Sequence, residues 1–75
     1  MVRITVHVKD GCHWCEQWRA DEQPFLDPNW EVDIVEGGAS SFPTIHINVD
    51  GKTQKLVGYR TVSQISNAIE DLRDG

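Results

Sequence analysis

Residues Gly11–Cys15 read GCHWC, and they hold the only two cysteines of a 75-residue chain. A C-x-x-C of this kind fits a redox pair, half of a zinc site or a structural staple. As a staple it would close so short a loop that the chain-entropy gain is only about 2 kcal/mol. A structural zinc needs four ligands. The chain has no second C-x2-C, and its one H-x5-H spacing, His7 to His13, runs across the cysteine motif itself instead of supplying a separate ligand pair. The redox reading needs a strand that runs into the pair and a helix that starts on it.

The flanks meet that requirement. Val2–Val8 (VRITVHV) alternates apolar and polar residues and predicts a strand. Lys9–Gly11 reads as a turn. From His13 to about Glu22 there is no Pro or Gly, and Pro24 ends the helical stretch. Cys12 therefore falls at a helix N-terminus, beside unpaired N–H groups and the positive end of the dipole. That position favours a thiolate and lowers the cysteine pKa, each unit being worth about 1.4 kcal/mol. Cys15 lies one turn on, within disulfide reach.

The remaining chain extends the pattern. Trp30–Glu36 predicts a second strand, and Thr44–Gly58 a hairpin that turns at Asp50-Gly51. Thr61–Leu72 predicts a helix with a Thr61/Gln64 capping box and an apolar face of Val62, Ile65, Ile69 and Leu72. Trp18, Phe25 and Trp30 are expected in the core. There are no repeats or linkers, and residues 1–75 read as one domain.

The formal charge of −5 argues against nucleic acid as a partner, because phosphate binding needs a basic surface. No apolar run approaches the roughly 18 residues of a membrane span. The alternating, polar start does not read as a signal peptide. A monomer in a reducing cytoplasm is expected, where a lone cysteine pair is more often catalytic or metal-binding than structural.

Three separated motifs, CHWC, Phe42-Pro43-Thr44 and Gly58-Tyr59-Arg60, resemble those of the thioredoxin superfamily, in its small glutaredoxin-like branch. The resemblance implies that Pro43 is a cis-proline facing the cysteines. It also implies that Gly58 lets the chain turn into the last helix beside them. Lys9 is similar to a glutaredoxin lysine that steadies the thiolate and a glutathione carboxylate. Trp14 stands where glutaredoxins usually carry tyrosine. GYRTVSQI resembles the GFRPD stretch of NrdH-redoxins, which reduce a class of ribonucleotide reductase, and departs from the glutaredoxin Gly-Gly-x-x-Asp pattern for glutathione. Thr44 after the proline is thioredoxin-like. Val6 replaces the buried Asp of thioredoxins.

A larger departure is the short GGASSF (Gly37–Phe42), where the family has a helix between strands two and three. Six residues can span the roughly 10 Å between those strands if both flank strand one. The alternation in strands one and three suits a sheet covered on one face only. The expected fold is a minimal thioredoxin fold, β-α-β-β-β-α. Its four-stranded mixed sheet carries both helices on one face and lacks the helix between strands two and three. His7 and His46 would lie on the open face, roughly opposite each other if Pro43 pairs near Asp10. They read as solvated residues, with a transition-metal site as the alternative.

The implied activity is dithiol–disulfide exchange, with no bound cofactor and no metal at the cysteines. Cys12 attacks a substrate disulfide, and Cys15 resolves the mixed disulfide. His13 is either a thiolate-stabilising cation or a solvated helix residue, and Trp14 a substrate contact. Tyr59 and Arg60 rim the site. Protein disulfides, ribonucleotide reductase among them, are the expected substrates. Electrons would come from a thioredoxin-reductase-type flavoenzyme or from glutathione, in the cytoplasm of a cell or a phage-infected host. A metal or iron–sulfur module on the same fold is the reading of another class.

Overall fold

In the computed structural model, which describes residues 1–75, the alternating stretch forms strand β1 (Val2–Val8). Then come α1 (His13–Asp21), a single 3-10 turn at Gln23–Phe25, β2 (Glu31–Glu36), β3 (Thr44–Val49), β4 (Lys52–Val57) and α2 (Val62–Asp74). The sheet order is β2-β1-β3-β4, with β2 parallel to β1 and the other two pairings antiparallel. No helix is long and apolar enough to cross a membrane.

The core sits between one face of the sheet and both helices. Val2, Ile4, Val6 and Val8 of β1 and Ile45, Ile47 and Val49 of β3 pack with Cys15 and Trp18 of α1 and Ile65, Ala68 and Ile69 of α2. Each large apolar side chain removed from water contributes about 1.5–3 kcal/mol. Because the period of a strand is two, the other face receives Arg3, Asp33, His46 and Asn48, all exposed, and half-buried Thr5 and His7. No helix covers it. Thr61 caps α2 through the reciprocal box with Gln64, and Asp50 and Gly51 take the positive φ angles, 52° and 87°, of a tight hairpin turn.

The crossover from β2 to β3 is tied to the end of β1. The Gly37 N–H donates to Val8 O at 2.9 Å, and the His7 ring bonds through Nδ1 to Gly37 O at 2.8 Å. Gly38 has φ +79°, and a Cβ there would lie 3.0 Å from His7 Nδ1. Only glycine allows so close an approach at that backbone angle. The Phe42–Pro43 peptide that follows is cis.

Three expectations need correction. The β1–β3 register pairs His7 with Thr44 and Thr5 with His46, so it is displaced by two residues from a pairing of Pro43 near Asp10. The reason is that β1 stops at Val8, and Lys9 turns its carbonyl to accept the Cys12 N–H at 3.2 Å. Thr44 has the parity of the open face yet is buried, with its hydroxyl donating to Ser41 O of the crossover at 2.7 Å. Phe25 is 73% exposed, because the 3-10 turn at Pro24 carries it off the helical face that buries Trp18; Trp30 packs at the core's edge.

Candidate functional site

Cys12 is the N-cap of α1, with extended backbone (φ −85°, ψ 109°) and a carbonyl that accepts from Glu16 N. Its sulfur takes the place of the usual oxygen cap and accepts the Cys15 N–H at 3.2 Å. The same sulfur approaches Phe42 O at 3.9 Å, with the thiol as donor. Cys12 thus touches both the helix start and the residue before Pro43. Both thiols are free; Cys12 is half-buried, whereas Cys15 is 2% exposed and belongs to the core. Burial pushes the Cys15 thiol up to about 11, and its hydrogen bond with Cys12 adds to the effect. The two sulfurs are therefore unequal, one reachable and one enclosed.

Pro43 is buried, and its carbonyl accepts the Gly58 N–H at 2.8 Å. Gly58 adopts φ +92°, which suits glycine, and starts the segment leading to α2. Tyr59 comes next and donates to Glu22 Oε2 at 2.5 Å, while Glu22 Oε1 accepts the Val62 N–H at 2.9 Å. That carboxylate pushes the Tyr59 phenol up to about 12, first by the hydrogen bond and then by desolvation and charge. Trp18 Nε1–H donates to Arg60 O at 2.8 Å. So the C-terminal half of α1 clamps residues 59–62 beside the cysteines.

Trp14 is 59% exposed and meets Tyr59 edge-to-face, ring centres 6.1 Å apart. His13, also exposed, lies edge-on to Trp14 at 5.3 Å. These three rings form an open rim. Lys9 is exposed and engages Cys12 through its backbone carbonyl. Arg60 Nη2 donates to Val57 O at 3.2 Å, turning back on β4. The fold brings together Cys12, Cys15, Phe42, Pro43 and Gly58, with His13, Trp14 and Tyr59 around them; the Thr44 hydroxyl is spent on the crossover. Sequence reasoning missed Glu22. It lies 37 and 40 residues from its partners, and no local motif marks it.

His7 and His46 project from the sheet face opposite the helices, so they add no ligand to the cysteine pair. No group of three or more His, Cys, Asp or Glu is arranged to hold a metal ion.

The strand order, the cysteine pair at the start of α1 and the proline before β3 define a thioredoxin fold, reduced to four strands and two helices. Solved structures agree. Chloroplastic thioredoxin z superposes with a TM-score of 0.79 at 14% identity, covering 100% of this chain and 80% of that one. The periplasmic thioredoxin SoxS from Paracoccus pantotrophus, in its reduced form, gives 0.71 at 17% identity, covering 96% and 95%. The first thioredoxin domain of mouse protein disulfide-isomerase A4 gives 0.69 at 18%, covering 95% and 62%. No protein-family model matches the chain, and no curated protein matches its sequence.

Proposed function

We propose that the protein is a dithiol–disulfide oxidoreductase that reduces protein disulfides. The observation that carries this reading is the inequality of the two sulfurs at the start of α1. Cys12, as thiolate, attacks one sulfur of a substrate disulfide, forming a mixed disulfide and releasing the other sulfur as a thiolate. Cys15, once deprotonated, attacks Cys12, so the substrate leaves as a dithiol and the domain as the Cys12–Cys15 disulfide. Two electrons pass from the pair to the substrate. The rim of exposed His13 and Trp14 and half-buried Tyr59 gives a protein partner an aromatic surface next to the nucleophile.

Re-reduction by a thioredoxin-reductase-type flavoenzyme fits Tyr59 better than glutathione does. The glutaredoxin pattern needs a second glycine there, and this chain has a bulky ring tied to Glu22. Ribonucleotide reductase, which needs external dithiols, is the substrate we favour, in a reducing cytoplasm. The test supplies NADPH with either thioredoxin reductase, or glutathione and glutathione reductase, and follows reduction of a protein disulfide. Turnover with the flavoenzyme, lost in Cys12→Ser, is expected. Turnover with glutathione alone would reassign the electron source, and none with either would sink the reading.

A further inference from the structure

We propose that His7 and His46 form a binding site for one divalent first-row transition ion of the zinc, nickel or copper type, on the sheet face that lacks a helix. The two residues occupy diagonal positions on the antiparallel strands β1 and β3, where Thr5 pairs with His46 and His7 with Thr44. Their ring centres are 5.1 Å apart and their planes nearly perpendicular, at 82°. A metal–imidazole bond is about 2.0–2.1 Å long, so the ion sits about 3.2 Å from the ring centre, and two rings at the tetrahedral angle have centres about 5.2 Å apart. The observed separation of 5.1 Å therefore lets both rings reach one ion once their ring nitrogens turn toward it.

The second observation concerns the state of His7. Its Nδ1 lies 2.8 Å from Gly37 O, a group that can only accept, so Nδ1–H donates and in the neutral ring the lone pair lies on Nε2. Metal-binding histidines usually have this arrangement, with the non-ligating nitrogen held by a carbonyl that fixes tautomer and ring plane. Gly38 packs against the same ring. His46 is exposed and makes no hydrogen bond, so no partner fixes the orientation of its ring. A hollow of about 200 Å³ lined by Arg3, Thr5, His46, Ile47, Asn48 and Thr53, and not by His7, keeps His46 open to solvent. Imidazole nitrogen suits zinc, nickel and copper and gives no preference for calcium or magnesium. The ion would tie β3 to His7 and, through Gly37, to the crossover that carries Pro43.

The site is independent of the redox reading, and it is tested on the full chain with Cys12→Ser and Cys15→Ser, so that no thiol competes. Ni2+ titrated by calorimetry and Cu2+ followed by electron paramagnetic resonance are the probes. One ion per chain with hyperfine coupling to two nitrogens is expected, with affinity reduced at least about tenfold in His46→Ala. His13→Ala should leave it unchanged. Equal affinity in His46→Ala, or loss in His13→Ala, would overturn the proposal. Because His7→Ala also frees Gly37, His46→Ala, at an exposed position, is the deciding variant, and its unfolding transition should match that of the parent.

Discussion

At the scale of single residues, the chemistry depends on where two sulfurs sit relative to one helix start. Cys15 is enclosed and its thiol is held near 11, so at about pH 8 it stays protonated. Iodoacetamide should label one thiol per native chain at that pH and two after denaturation; rapid double labelling of the native protein would contradict this asymmetry. Cys15→Ser should accumulate the mixed disulfide with substrate, visible as a covalent complex on a non-reducing gel, whereas Cys12→Ser should form none. Two groups have folded-state values above their ordinary ones, Cys15 (9.0 to about 11) and Tyr59 (10.0 to about 12). Each contributes stability that is fully present below its ordinary value and lost as pH rises through the folded value. Stability should therefore fall progressively above pH 9, and denaturant midpoints between pH 8 and 12 would show it. In Glu22→Ala the single tyrosine should titrate closer to 10.0, because both the acceptor and the opposing charge are gone, as alkaline absorbance can follow.

At the scale of elements, the strands, the helix N-termini and the CHWC turn follow from local chemistry, and these were legible in the sequence. The β1 alternation, the Asp50-Gly51 turn and the Thr61/Gln64 box each depend on neighbours within four residues. What escaped depends on distant partners. Glu22 acts on Tyr59 and Val62 across the molecule. The β1–β3 register depends on where β1 stops, and Thr44 is buried by a loop that the strand pattern does not describe. The crossover gives a pointed comparison. Gly37 and Gly38 share positive φ, 73° and 79°, but a Cβ meets nothing within 4 Å at Gly37 and the His7 ring at 3.0 Å at Gly38. Either alanine should cost about 1–2 kcal/mol for its left-handed backbone. Gly38→Ala should lose more, and urea midpoints of the two variants compare them directly. Thr61→Ala should lose about 1 kcal/mol with the α2 cap.

At the scale of the whole molecule, a sheet covered on one side keeps a small core and leaves little margin. Trp18, fully buried and bonded to Arg60 O, ties α1 to the segment before α2. Trp18→Ala should cost about 3–5 kcal/mol, enough to unfold much of the population in mild denaturant. The bare face implies a second pattern. Its ion pair, Arg3 with Glu31 at 3.0 Å, is solvated and should be worth no more than about 1 kcal/mol, and less in high salt.

The strand order itself has a consequence for amide protection. β1 and β3 each have neighbours on both sides, while β2 and β4 have one free edge apiece. Solvent washes one whole side of the sheet, yet exchange with deuterium requires each N–H to be released from its partner strand. The slowest amides should cluster in the two inner ribbons, and the outer two should exchange sooner along their unpaired margins, so that lateral pairing and not overhead cover sets the order in which the backbone opens.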